Sequence, residues 1–160
     1  MEKKMPVKNY STTISVERTI SEIESNLAKH GAKAILKEYD ISGRPFAINF
    51  IIELFERKNI PFRLPIDIQA AMEKINYDID HPQKHEGRIE RKRKNDMDYA
   101  RRVAWRCLKN WVDAQMAQID FKQVKIQQVF LPYAYDAQEK KTFFEKLEGG
   151  KFHDLPLLDG

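Results

Sequence analysis

Arg44-Pro45-Phe46-Ala47-Ile48-Asn49-Phe50-Ile51-Ile52-Glu53-Leu54-Phe55 is the stretch that decides the fold of this chain. Phe46, Ile48, Phe50, Ile52 and Leu54 recur at every second position, opposed by Ala47, Asn49, Ile51 and Glu53. Alternation is the period of an extended strand, whose successive side chains point to opposite faces. One face of this strand must therefore be core, and that requirement fixes its register. Just upstream, residues 33–40 read as another strand that ends in the turn Asp40-Ile41-Ser42-Gly43. Downstream, residues 60–64 read as a short strand with Pro61 and Pro65, and proline, lacking an N–H, belongs at a sheet edge.

Working outward, residues 8–15 are rich in β-branched residues and predict a first strand, with Ser15 placed to cap a helix. Val16, Ile20, Ile23 and Leu27 follow at helical spacing and Gly31 supplies a stop, giving a helix over about 16–30. After the strands, Asp67 caps a helix carrying Ile68, Ala71, Met72 and Ile75 on one side. The order β-α-β-β-β-α predicts an α+β fold with a small, mostly antiparallel sheet and helices on one face. Pro82 and Gly87 mark residues 78–90 as a linker. From Met97, the positions Ala100, Ala104, Leu108, Trp111, Ile119, Ile126 and Phe130 keep to one face of a long amphipathic helix. Its length is about 35 residues or about 50 Å, with a weaker pattern near Phe121 that permits a break. A short C-terminal helix over about 138–148 stops at Gly149-Gly150. The resulting organisation is an α+β domain over 1–80, a basic linker over 81–95, and a helical region over 96–160. That last region is expected to pack on the domain or to serve oligomerisation.

With 160 residues, 42% hydrophobic and 32% charged, the chain has the size and composition of one globular domain. No run approaches the 18 apolar residues of a membrane span, and the start, Met1-Glu2-Lys3-Lys4-Met5-Pro6, lacks the apolar stretch of a secretory signal. A cytoplasmic setting without membrane partners is the expectation. The single Cys107 has no partner for an intramolecular disulfide and reads as a small core residue.

The charge is not spread evenly. Residues 1–83 carry 12 Lys+Arg against 12 Asp+Glu, residues 103–160 carry 8 against 8, and residues 84–102 carry 8 against 4, which is the whole formal net charge of +4. A local excess concentrates field where scattered charge does not. Lys84, Arg88, Arg91, Lys92, Arg93 and Lys94 form an arm that runs into the long helix. On that helix, Arg102, Arg106 and Lys109 fall within about 60° of one another. Such a stripe can track nucleic-acid phosphates, with Trp105 bordering it as a stacking platform and Trp111 turned to the core. The competing reading is ordinary helix surface, since Asp98 with Arg102 and Lys109 with Asp113 are i,i+4 ion pairs.

Three sets of residues resemble a family of uncharacterised small proteins encoded by bacteriophages and prophages. They are Tyr10-Ser11-Thr12 ahead of an acidic helix ending His30-Gly31-Ala32, the string Val103-Ala104-Trp105-Arg106 with Lys109-Asn110-Trp111 and Ala114-Gln115, and Val129-Phe130-Leu131-Pro132-Tyr133. The linker is more basic here than in that family. The resemblance implies a phage-type origin and a host-cytoplasm setting, which favours genome metabolism or interference with host defence. It brings no catalytic residues. The α-β-β-β-α run also shares its element order with double-stranded RNA-binding domains. Where those carry a lysine-rich helix start, however, this chain reads Asp67-Ile68-Gln69-Ala70-Ala71-Met72-Glu73, the wrong sign for phosphate.

Other chemistry is thin. Asp78, Asp80, His81, His85 and Glu86 include a His-x3-His spacing that can suit a metal on a helix, but Pro82 and the linker composition favour a solvated polar segment. There is no glycine-rich phosphate loop and no nucleophile elbow, so no enzyme and no cofactor is expected. The leading expectation is a non-enzymatic accessory protein binding DNA or RNA through Arg88, Arg91, Lys92, Arg93, Lys94, Arg102, Trp105, Arg106 and Lys109. The alternative is an oligomeric interaction or sequestration protein that captures a host factor or an anionic signalling molecule.

Overall fold

The structure is a computed structural model that describes residues 10, 12–54, 57–82 and 89–151. It is α+β, as expected. Helix α1 (Val16–Lys29) is followed by the strands β1 (Ala32–Tyr39), β2 (Pro45–Leu54) and β3 (Lys58–Pro65), and then by α2 (Ile68–Asp80). A 3-10 turn (Arg91–Arg93) leads to the long α3 (Met97–Asp120), a short α4 (Ile126–Phe130), the hairpin β4 (Tyr135–Asp136) and β5 (Lys141–Thr142), and α5 (Phe143–Lys146). The chain forms two compact units, residues 1–26 with 66–116 and residues 27–65 with 117–160. The expected boundaries at 80 and 95 both fall within the first.

In that first unit, Ser15 caps α1 by accepting the Arg18 N–H on its hydroxyl at 3.2 Å. Asp67 caps α2 in the same way, accepting the Ala70 N–H at 2.9 Å. Ile75 and Ile79 of α2 pack with Tyr99, Ala100 and Val103 of α3, all five buried, and Ile68, Met72, Ile89 and Cys107 close around them. Helix α3 buries a second stripe as well. Trp105, Val112 and Met116 are buried at spacings of seven and four, about 100° or more round the helix from Tyr99, Ala100 and Val103. A helix buried on two sides defeats a one-stripe reading, and this corrects the orientation expected for both tryptophans.

The second unit is organised by the strand that opened the sequence. β2 lies in the centre of an antiparallel sheet ordered β1-β2-β3. Its register sets Phe50 beside Ile35 and Phe62, and Ile48 beside Leu64. Ile48, Phe50, Ile52, Phe62 and Leu64 are all buried, so the alternation does mark the core face. Phe130 of α4 completes the cluster, its ring 5.2 Å from Phe50 and nearly perpendicular, while Phe50 and Phe62 stack at 5.4 Å. Asp40 closes the β1–β2 turn by accepting the N–H groups of Ser42 at 2.9 Å and Arg44 at 3.0 Å, and Gly43 supplies the positive φ of 76°.

Three expected elements differ. Of the strand expected over 8–15, residues 8, 9 and 11 lie outside the described residues. Tyr10 sits in a turn, and Thr12 takes the Ile14 N–H on its own hydroxyl at 3.2 Å, a local bond that replaces a ladder. The long helix ends at Asp120, because Lys122 adopts φ 57° and the N–H groups of Gln123 and Lys122 turn back to the carbonyls of Gln118 and Ile119, both at 2.9 Å. Over the expected 138–148 helix, the Asp136 carboxylate draws in the Gln138 N–H at 2.8 Å and makes a hairpin turn. Helix α5 begins only at Phe143, capped by Thr142 through the Glu145 N–H at 3.3 Å.

Candidate nucleic-acid interface

The basic arm enters α3 as an ordered turn. Arg91, Lys92 and Arg93 form the 3-10 turn, and Asn95, in the left-handed region at φ 59°, turns the chain into the helix. Asp96 starts α3 by accepting the Tyr99 N–H at 2.9 Å. Two sets of bonds tie this turn to α2. Asn76 and Asn95 exchange hydrogen bonds, the Asn76 amide donating at 2.8 Å and the Asn95 backbone N–H returning one at 3.0 Å. The Lys94 ammonium bonds both oxygens of Asp80, at 2.9 and 2.7 Å, and that bond holds the Asp80 carboxyl below its usual range.

Tyr99 is the centre of the site. Its ring is 2% exposed, burial pushes its phenol above the ordinary value, and its hydroxyl donates to the Tyr10 carbonyl. The Arg93 guanidinium lies 5.0 Å from the ring centroid and the Arg102 guanidinium 5.9 Å. Two of the expected phosphate-binding arginines thus converge on one aromatic ring from separate elements. Arg93 makes a long bond to Asp96 at 3.3 Å. Arg102 does not pair with Asp98, as i,i+4 spacing had suggested, because Asp98 bonds Arg101 at 3.3 Å. No carboxylate among the described residues neutralises Arg102, and its Nε–H is buried without an acceptor. Arg91 and Lys92 are exposed beside this pair, Lys92 bonding the exposed Glu90 at 2.5 Å. Arg91, Lys92, Arg93, Lys94 and Arg102 thus face three carboxylates, Asp80, Glu90 and Asp96, which leaves two positive charges in excess.

The other expected site residues are placed elsewhere. Arg106 is committed to α1, donating to Glu22 at 2.6 Å and to the Thr19 hydroxyl at 3.4 Å with its side chain 15% exposed. Lys109 bonds Asp113 at 2.5 Å and approaches Glu22 at 3.8 Å. Hydrogen bonding from Arg106 in turn holds the Glu22 carboxyl below its usual range. These two cations are internal ties between α1 and α3. Trp105 is fully buried and has no face to offer a base, which corrects its expected stacking role; Trp111 is half-buried instead. Lys84 and Arg88 lie outside the described residues. Sequence reasoning missed Tyr99 and Asp96, although Asp96, Tyr99 and Arg102 stand at successive spacings of three and so share one side of a helix start.

The residues weighed for a metal site, where a solvated polar segment is favoured, make other bonds. Asp78 is held by Lys74 at 2.5 and 2.7 Å and by the Tyr10 hydroxyl, and Asp80 by Lys94. His81 turns Nδ1 to the Tyr77 carbonyl at 2.9 Å and stacks on its ring at 4.2 Å. His85 and Glu86 lie outside the described residues. Among the described residues no group of three His, Cys, Asp or Glu converges to hold a metal. None of their helices is long and apolar enough to cross a membrane.

No protein-family model, curated protein or solved structure matches this chain. Its functional reading therefore rests on the site itself.

Proposed function

We propose that this protein is a non-enzymatic binder of nucleic-acid backbone, in the phage-type setting that its sequence resemblance implies, and that it holds phosphates with Arg91, Lys92, Arg93 and Arg102. The observation that carries this reading is Arg102. A partly buried guanidinium without an acidic partner among the described residues is an incomplete electrostatic arrangement, and a phosphate oxygen completes it with a charge-assisted bond. Arg93, three residues from the helix start and seated over the same ring, supplies the second donor group. The turn is held in place by Asn76 and Asp80, so little ordering entropy opposes binding. Exposed pairs such as Lys92 with Glu90 contribute little and exchange readily for phosphate.

The reading makes a salt-dependent claim. Four phosphate contacts on duplex DNA give a log–log slope of about −3.6, a loss of roughly a hundredfold in affinity between 50 and 200 mM salt. Fluorescence anisotropy with labelled duplex DNA, duplex RNA and single strands measures it. Absence of binding to any of them at 50 mM salt overturns the reading. Tight binding of a mononucleotide with no preference for the polymer supports capture of a small anionic molecule in its place.

A further inference from the structure

Helix α2 carries two adjacent rows of side chains beside the basic turn. Asn76 and Asp80 form the first, and both bond the turn, Asn76 through Asn95 and Asp80 through Lys94. Tyr77 and His81 form the second, each one residue later and so about 100° further round the helix. The Asp80 carboxyl marks where the rows meet. Its hydrogen bond with Lys94 holds it below its usual range, and the charges of Arg91 and His81 act in the same direction.

The second row is aromatic and faces water. The two rings stack at 4.2 Å with 20° between their planes. Tyr77 is 43% exposed, and His81 is exposed as well. The end of α2 fixes the imidazole in this pose, because the Tyr77 carbonyl accepts the His81 backbone N–H at 3.0 Å and the ring Nδ1–H at 2.9 Å. One turn earlier, the Lys74 ammonium lies 6.0 Å from the Tyr77 ring centroid. A pair of rings this exposed gains little from burial. What it offers is a flat face, already ordered, next to a cationic surface.

We infer that the Tyr77–His81 stack is a platform for one unpaired base of a single strand whose phosphates lie on Arg91, Lys92, Arg93 and Arg102, an inference that rests on the backbone-binding reading above. The chemistry selects this occupant. Every base has a π-face, so stacking beside a basic surface accepts any sequence. In a duplex the bases are paired and stacked on one another, and only a single strand can splay one out without paying to open the helix. An acidic peptide would engage the cations and leave the rings idle, whereas a single strand uses both.

Fluorescence anisotropy on the full chain at about 50 mM salt tests the platform with a labelled thymidine strand, an abasic strand of the same phosphate count, and a duplex. The thymidine strand is expected to bind about tenfold more tightly than the abasic one, the scale of one stacked base. The double variant Tyr77→Ala, His81→Ala is expected to remove that advantage while leaving the abasic and duplex affinities unchanged. His81→Phe, which keeps a flat ring and carries no charge, is expected to preserve it. Equal wild-type affinities for the thymidine and abasic strands overturn this inference and leave the backbone reading standing. An advantage that survives the double variant overturns it, as does one that His81→Phe abolishes, or a double variant that weakens both strands alike. Binding to none of the three probes overturns the backbone reading and the platform with it.

Discussion

The Arg102 guanidinium lies 5.9 Å from the ring centroid of Tyr99, one helical turn before it on α3, and the neighbouring carboxylate of Asp98 is turned to Arg101 instead. That pairing leaves Arg102 without a carboxylate partner among the described residues. Arg93 seats on the same ring at 5.0 Å. The ring thus gathers two guanidiniums, of which Arg93 also bonds Asp96 at 3.3 Å while Arg102 meets no carboxylate among the described residues.

Arg106 and Lys109 carry the same formal charge as Arg102 but are already engaged with Glu22 and Asp113. Arg106→Ala is expected to lower unfolding free energy by about 1.5–3 kcal/mol, the range for a hydrogen bond to a charged group. It should leave the salt slope of nucleic-acid binding unchanged. Arg91→Ala with Lys92→Ala should do the reverse, reducing the slope by about 1.8 at unchanged stability. Urea titration and anisotropy on the same preparations separate the two effects.

Trp105 is a packing residue. Trp105→Ala is expected to cost about 3–5 kcal/mol through the lost contacts and the cavity left behind, read as a lower urea midpoint. In a Trp111→Phe variant, where Trp105 is the remaining tryptophan, saturating oligonucleotide should leave its emission unquenched.

On the outer face of the sheet, Arg63 bonds both oxygens of Glu38 at 2.9 and 3.0 Å, and Asn49 on the strand between adds a bond at 2.6 Å. These bonds hold the Glu38 carboxyl below its usual range, the Arg63 contribution being the largest. A lowered folded pKa contributes stability above the unfolded value, lost as pH falls through the folded one. Removing Arg63 leaves the half-buried Glu38 carboxylate without its cation, so Arg63→Ala should cost about 1–3 kcal/mol at pH 7. The gap to wild type should close as pH drops below about 4.3, the ordinary Glu value. Urea midpoints at pH 7, 5 and 3.5 show whether it does.

Asp67 accepts the Ala70 N–H at the start of α2, so Asp67→Ala should cost about 1 kcal/mol. Because α2 anchors the basic turn through Asn76 and Asp80, the same variant should weaken oligonucleotide binding only as far as it unfolds the protein. Binding measured well below its melting temperature should be unchanged.

β2 and β3 were legible because Phe46 to Leu54 alternate strictly and Pro61 and Pro65 announce an edge, whereas the β-branched run before Ser15 forms local turns and the β4–β5 hairpin was read as helix. α1 and α2 were legible from Ser15, Gly31 and Asp67, each of which makes the cap its type implies. The end of α3 showed only as the weaker pattern near Phe121, because its left-handed stop is Lys122, a residue that carries no turn signal, where glycine is usual. The site was half legible. Charge counting found the basic turn and Arg102, but a single helical stripe cannot describe α3, which buries Trp105 on one side and Tyr99 on another. Ion-pair spacing alone also could not tell whether Asp98 would choose Arg101 or Arg102.

The most direct measurement is the salt dependence of oligonucleotide affinity in the Arg93→Ala, Arg102→Ala double variant beside wild type. The account predicts a wild-type log–log slope of about −3.6 on duplex DNA that falls in magnitude by about 1.8 in the variant. A slope that the double substitution leaves unchanged contradicts it.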